Sequence, residues 1–191
     1  MIFMDNRSRE EWISHLHGCT RKELKHLFNS LPVPEINEFH GEFEGILLSQ
    51  GNALTNRVTA FFINKEGAWL GKAFKPLNSD VGNGYNIFRT RNGVRRTLRM
   101  HLRRRESAHG ERVAIEYSEL NDGIVGGIYD DLKRVTPGLF LGIGTVPLGG
   151  RLLPRLKRRV MFALSGPTGE FLDDAEHQDL FIADDDVCRA A

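Results

Sequence analysis

The residues best suited to chemistry in this 191-residue chain are one arginine, two tyrosines and one aspartate near its centre. Arg96 alternates in phase with Leu98 and Met100, so a regular strand would turn its guanidinium inward. A buried arginine needs an anionic or carbonyl partner, because an unpaired buried charge is costly. A ligand carboxylate or enolate would provide one, and a position at the rim of the fold would remove the need. The internal alternative is an ion pair with Glu42, Glu44 or Asp130.

Tyr85, Tyr117 and Tyr129 lie on three separate predicted strands. Each offers a flat apolar ring with a polar tip, which suits a pocket wall that orients a ligand. A phenol can also act as an acid or donate to a developing oxyanion. Packing in the core with a satisfied hydroxyl is the alternative for each. The candidate ligand-binding residues are Trp69, Tyr85, Phe88, Arg96, Met100, Tyr117 and Tyr129.

Asp130 and Asp131 occupy strand positions where carboxylates are disfavoured. Alternation sends one of them inward and the other outward. An inward carboxylate beside an inward arginine is either an acid–base pair with shifted pKa values or a structural salt bridge. The candidate catalytic residues are Arg96, Tyr117, Tyr129 and Asp130.

The histidines do not have the spacing of a metal site. His15 and His17 are two apart on a predicted helix and therefore diverge, and the others are scattered. No phosphate-binding loop, nucleophile elbow or paired-cysteine motif occurs in the sequence. We therefore expect neither a metal nor a cofactor.

Two helices are predicted at the N-terminus. Ser8 to Glu11 and Thr20 to Glu23 are both capping boxes, and each precedes a run of periodic apolar residues. Gly18 ends the first helix and Pro32 ends the second. Residues 1–34 are therefore predicted to form a helical segment that packs on the following domain.

Residues 35–166 have the rhythm of a mainly β domain. Turn signals recur at about 8–12 residues, the spacing of an all-β barrel. The segment Gly41–Gly45 opens the first strand, and Asn92-Gly93 is the clearest hairpin turn. We predict an antiparallel barrel of about eight strands, large enough for one small ligand. Leu54–Lys65 is assigned to a short helix or irregular crossing, and Ile124–Val135 to a strand.

The chain resembles the lipocalin-like, or calycin, β-barrels. More narrowly, it is similar to bacterial GxWxG-type proteins of uncharacterised function. The likeness rests on three stretches, with Phe43 standing where that family has tryptophan: Leu31–Gly45, Trp69–Phe74 and Tyr129–Gly142. The resemblance implies a barrel with a ligand cavity and no settled activity, because such barrels include carriers, haem binders, isomerases and cyclases.

The charge pattern bears on partners. Eight arginines lie between Arg89 and Arg105, while residues 167–191 form an acidic tail, and the net charge is only +1. We expect the tail to pack along the basic exterior of its own barrel or of a second copy, which makes a homodimer one alternative. The aromatic interleaving of single-strand binders is missing, which argues against nucleic acid.

Two distant cysteines and the lack of an apolar run of membrane-spanning length predict a cytoplasmic protein without a membrane partner. Its expected function is binding of a small hydrophobic molecule with a carbonyl or acidic group in the barrel cavity. The alternative is a cofactor-free isomerase or cyclase of natural-product type that uses the same pocket.

Overall fold

The computed structural model describes most of the chain and covers both predicted helices and the barrel strands. The described residues are 7–51, 67–107, 110–118, 120–121, 123–149, 153–173 and 180–182. The predicted crossing at Leu54–Lys65 lies outside them.

Two helices form at the predicted positions. Helix α1 spans Arg9–Gly18 and α2 spans Arg21–Ser30. Both begin with the predicted capping box, in which a side-chain hydroxyl and a glutamate satisfy otherwise unpaired backbone N–H groups. A 3-10 turn at Ile36–Glu38 leads into the barrel, and a four-residue helix α3, Gly123–Gly126, precedes the sixth strand. The predicted strand from Ile124 is therefore wrong in its first residues.

The strands form a closed antiparallel barrel. They are β1 (Gly41–Leu47), β2 (Ala68–Pro76), β3 (Val81–Thr90), β4 (Gly93–Ser107), β5 (Gly110–Glu116), β6 (Tyr129–Thr136), β7 (Leu139–Gly149), β8 (Leu153–Gly169) and β9 (Leu180–Ile182). Strands β1 to β8 pair in the order β3-β2-β1-β8-β7-β6-β5-β4, and pairing of β3 with β4 completes the ring. The predicted fold class is confirmed.

The barrel interior is packed with aromatic side chains at one end, which we call the base. Phe39, Phe43, Phe74 and Phe140 are all fully buried there, with ring centroids 4.3 to 6.4 Å apart. Phe39 and Phe43 each contact the other three rings of this cluster. The opposite end carries the tight β3–β4 turn and is called the hairpin end.

Two further clusters cover the outside of the barrel. Helices α1 and α2 pack Trp12, Leu16, Leu24 and Phe28 against the outer faces of β7 and β8. On the other side, Phe171 and Leu172 pack over Ala73, Tyr85, Ile87 and Val94. Because both faces of these strands are covered, outward-pointing side chains there are buried as well as inward ones.

The C-terminal segment reaches the arginine-rich strand. Strand β5 pairs with β4 only from His101 to Ser107, and β9 pairs with Val94–Arg96 on β4. Residues 180–182 of the tail thus extend the sheet beside the arginine-rich strand of the same chain. Among the described residues, no helix has both the length and the apolar character needed to span a bilayer.

Candidate functional site

Four polar side chains meet inside the barrel, next to the aromatic base. Lys72, Asn86, Tyr117 and Asp130 are each no more than 5% exposed, and we call them the polar tetrad. The Lys72 ammonium donates to Asn86 Oδ1 at 2.9 Å and to Tyr117 OH at 2.5 Å. It also forms an ion pair with Asp130 Oδ2 at 3.1 Å. Buried polar groups in folded proteins nearly always have hydrogen-bond partners of this kind.

Strand register brings the tetrad together. Lys72 lies opposite Phe43 on β1 and Asn86 on β3, so all three point inward. Asp130 lies opposite Ile115, a residue of the interior cluster, and Tyr117 follows two residues after Ile115. Side chains of directly paired residues share a face of the sheet. Strands β2, β3 and β6, together with the residue directly after β5, therefore each aim one polar group at the same point.

Aromatic rings and glycines complete the surroundings. The Lys72 ammonium lies 5.6 Å from the Trp69 ring centroid, 5.3 Å from that of Tyr117 and 5.7 Å from that of Phe162. Such distances allow a cation–π attraction. A Cβ at Gly45 would come within 2.6 Å of the Trp69 ring, and one at Gly142 within 2.2 Å of Phe162. These glycines create the space that the two rings fill.

Hydrogen bonds use nearly all the capacity of the tetrad. Asn86 Oδ1 also accepts from Trp69 Nε1 at 3.1 Å, while Asn86 Nδ2 donates to Tyr117 OH and to the Leu98 carbonyl. Tyr117 OH accepts from Lys72 and Asn86 and donates to Asp130 Oδ2 over 3.4 Å. The three N–H groups of Lys72 are all engaged. The cluster therefore holds a fixed arrangement.

The electrostatics favour a charged lysine and a neutral phenol. Burial by itself lowers the pKa of Lys72, but attraction to Asp130 and the contact with Tyr117 outweigh it, and the pKa is raised. Burial raises the pKa of Tyr117 to about 12 despite the opposing effect of the Lys72 charge. At neutral pH Lys72 is therefore an ammonium and Tyr117 a protonated phenol.

Several of the predicted site residues lie inside the barrel. Tyr117 and Asp130 belong to the tetrad, and Trp69 bonds to it. Phe88 lies opposite Trp69, one row nearer the hairpin end than the tetrad. Met100 belongs to the interior apolar cluster. Asp130 is thus the inward member of the aspartate pair, and its partner is a lysine instead of the expected arginine.

Arg96 and Tyr85 lie on the outside, so the expected inward orientation of Arg96 is wrong. Arg96 Nε donates to Glu42 Oε1 at 2.7 Å, and Tyr85 OH donates to the same oxygen at 3.1 Å. Burial raises the pKa of Tyr85, although the hydrogen bond that its hydroxyl accepts from the Leu172 N–H opposes this. The pair with Glu42 is one of the internal alternatives that the sequence left open.

A bulge explains the reversed orientation of Arg96. The β3–β4 register shifts between Gly84 and Asn86, and Leu98 on β4 has a φ of +55°. An extra residue in a strand inverts the facing of everything beyond it. Met100 therefore points inward while Arg96 points outward, although their sequence spacing is even.

Tyr129 and Asp131 also lie on the outer face. Tyr129 pairs across the sheet with Glu116 and Thr145, and the Lys157 ammonium lies 5.8 Å from its ring centroid. Asp131 Oδ1 is 3.3 Å from Arg112 Nε, and burial raises the pKa of its carboxyl group. Tyr129 is thus separated from the tetrad by the sheet.

Lys72 and Asn86 were missed by the sequence reasoning. Lys72 alternates with Phe74, which is a signal for an inward position, but the bulge between Trp69 and Gly71 disrupts the alternation before it. Asn86 lies between Tyr85 and Ile87, which both point outward, but with Tyr85 expected in the pocket wall, alternation did not place Asn86 inside.

A separate cleft of about 760 Å³ lies between α1 and α2 on the surface. Its lining includes His15, Cys19 and His26, and Cys19 Sγ is 3.7 Å from His15 Nε2. Burial raises the pKa of the Cys19 thiol, so it stays protonated at neutral pH. This cleft therefore has no activated nucleophile in its Cys19–His15 pair.

Comparisons with known proteins support the fold. No protein-family model matches the chain, and no curated protein matches it. One solved structure, a crystal structure of a protein from Thermomonospora curvata, is similar with a TM-score of 0.50 and 18% sequence identity. The match covers 83% of this chain and 97% of that one. At this identity the likeness concerns the barrel architecture alone.

Proposed function

We propose that this protein binds a small, mainly hydrophobic molecule with a carbonyl or acidic group inside its barrel, beside the polar tetrad. The observation that carries this proposal is the buried Lys72–Asp130 pair among Trp69, Tyr117 and Phe162. Ligand pockets combine apolar and aromatic walls with a few fixed polar groups, and this interior has that composition.

The energetic cost of the tetrad supports a role beyond folding. A buried ion pair is often no more stabilising than apolar residues of similar volume, because both charges lose their hydration. The base of the same barrel is built from phenylalanines and needs no such pair. Retention of four polar groups in one interior layer is therefore better explained by recognition of a bound molecule.

The proposal includes the finer assignments that the sequence suggested. It places the protein among lipocalin-like barrels, on the strength of the three stretches quoted above, and in the cytoplasm, where two distant cysteines stay reduced. Trp69, Phe88 and Tyr117 are the proposed ligand-contacting aromatic residues. Arg96 has no part in it, because Glu42 already neutralises it on the outer face.

Native mass spectrometry of protein purified from its source organism tests the proposal. We expect a retained small molecule in the wild-type protein and its loss in the double variant Lys72→Met/Asp130→Leu, which keeps the net charge. The control is Lys75→Met/Asp173→Leu, which removes a solvent-exposed ion pair and leaves the interior unchanged. Equal retention by all three proteins, or no bound molecule in any, would contradict the proposal.

The alternative function is a cofactor-free isomerase or cyclase that uses the same interior. Tyr117 and Asp130 place a proton donor and a proton acceptor 3.4 Å apart, and a substrate bound beside them would have both groups available for general acid–base catalysis. NMR analysis of the retained molecule after incubation separates the two functions. A carrier returns the molecule unchanged, whereas an isomerase returns a different isomer of the same mass.

A further inference from the structure

The tetrad has one hydrogen-bonding position left for a ligand, and it is an acceptor. Within the described residues, Asp130 Oδ2 accepts from Lys72 and Tyr117, while no side chain or backbone group donates to Asp130 Oδ1. The Asp130 side chain keeps 5% of its surface accessible. All donors of Lys72 and both polar ends of Asn86 are already in use.

Gly144 gives the Asp130 carboxylate room to lie against the β7 backbone. It lies opposite Asp130 on β7, and a Cβ added to it would come within 2.9 Å of Asp130 Oδ1. That distance is too short for an ordinary contact, so a side chain at this position would crowd the oxygen. Glycine at this position therefore lets Asp130 hold its place in the tetrad.

Charge balance disfavours an ionised ligand at this point. Lys72 and Asp130 neutralise each other, so a carboxylate would bring an uncompensated negative charge into a buried layer. Arg95 lies opposite Phe88, one row nearer the hairpin end than the tetrad. It already makes interactions of its own. A neutral hydroxyl, in contrast, completes the hydrogen bonding of Asp130 without changing the net charge.

We propose that the acidic group of the ligand is a neutral phenol or enol hydroxyl, which donates its hydrogen bond to Asp130 Oδ1. This inference rests on the proposed function and specifies the chemistry of its ligand. The rest of the molecule is apolar and packs against the rings of Trp69 and Phe162, which flank the tetrad.

Three naphthalene probes that differ in one group test the inference by fluorescence titration at pH 7. These are 2-naphthol, which donates; 2-methoxynaphthalene, which cannot; and 2-naphthoate, which is an anion. We expect 2-naphthol to bind at least about ten-fold more tightly than either of the others, since a hydrogen bond to a charged acceptor is among the stronger ones.

The variant Gly144→Ala crowds Asp130 Oδ1 and leaves every charge in place, so it should remove the preference for 2-naphthol. Gly18→Ala is the matched control, because an added Cβ there meets no atom within 4 Å. Tighter binding of 2-naphthoate, or equal binding of 2-naphthol and 2-methoxynaphthalene, would overturn this inference and leave the proposed function standing. Failure of all three probes to bind would count against the proposed function itself.

Discussion

The Lys72–Asp130 pair determines how the interior responds to substitution. Replacement of Lys72 by Met leaves the Asp130 carboxylate buried without its counter-charge, and we expect a loss of roughly 3–5 kcal/mol in the free energy of unfolding. Asp130→Leu should have a similar effect. The double variant Lys72→Met/Asp130→Leu should lose much less free energy of unfolding than the two single variants added together, because neither charge is left unpaired. Urea denaturation of the four proteins measures this coupling.

The exposed pair between Lys75 and Asp173 provides the comparison. Both side chains are substantially exposed, at 40% and 68%, so their removal should change the free energy of unfolding by no more than about 1 kcal/mol. If Lys72→Met were equally mild, the tetrad would not be a tightly coupled unit, and the energetic argument for a binding role would fail.

Residue types alone located half of this site. Tyr117 was identified as a flat ring with a polar tip on a predicted strand, and Asp130 as a carboxylate at a strand position where carboxylates are disfavoured. Lys72 was not, because a lysine in a strand is ordinarily read as a solvated side chain, and only the fold shows that its position is enclosed. Its partner Asn86 lies on the neighbouring strand β3, but its counter-charge Asp130 lies on the distant strand β6, which the local sequence pattern does not relate to Lys72.

At the scale of elements, glycines on β1 and β7 set the shape of the interior. Substitution of Gly142 by Ala places a Cβ 2.2 Å from a ring atom of the buried Phe162, which has no room to move away. We expect a loss of about 1–3 kcal/mol in the free energy of unfolding, as for other overpacked cores. Chemical denaturation of the purified variant checks this value.

Gly18→Ala is the control for this substitution. Gly18 is the last residue of α1 and has open space around it, so alanine should be neutral or stabilise by up to about 1 kcal/mol. A Gly142→Ala variant as stable as Gly18→Ala would mean that Phe162 does not fill the position we describe.

Element types were predictable, whereas the facing of individual residues was not. Capping boxes and turn residues act locally, so α1, α2 and the β3–β4 hairpin followed from the sequence. The bulges near Gly71 and Leu98 depend on neighbouring strands. At Gly71 the structure shows why a glycine is needed at the bulge, since any Cβ would collide with the Phe43 carbonyl. Leu98, in contrast, is not a residue type expected at positive φ, so the sequence gives no sign of the second bulge. Arg96 was consequently assigned to the wrong face.

At the scale of the whole molecule, the C-terminal segment completes the hydrogen bonding of β4. Truncation after Asp173 removes β9 and leaves the Val94–Arg96 edge without the pairing that β9 provides. Hydrogen–deuterium exchange should therefore accelerate in the peptide that contains these residues. The peptide that covers Leu139–Leu141, on the opposite side of the ring, is the internal control and should exchange at an unchanged rate.

The same truncated protein tests whether the tail acts within one chain. In the structure β9 belongs to the same chain as the β4 strand it covers, so we expect the oligomeric state by light scattering to be unchanged. A dimer that becomes a monomer on truncation would show that the strand is exchanged between two copies. Unchanged exchange at Val94–Arg96 would contradict the pairing altogether.

The pairing of β1 with β8 has a consequence for biosynthesis. Glu42 lies opposite Gly169, and Leu47 lies opposite Phe162, so the first barrel strand is joined on one side by the last. During translation β1 can pair with β2 early, but its other edge stays unsatisfied until β8 has left the ribosome. Such distant pairing slows folding and prolongs exposure of an open strand edge. The nascent chain should therefore depend on chaperones until β8 has emerged.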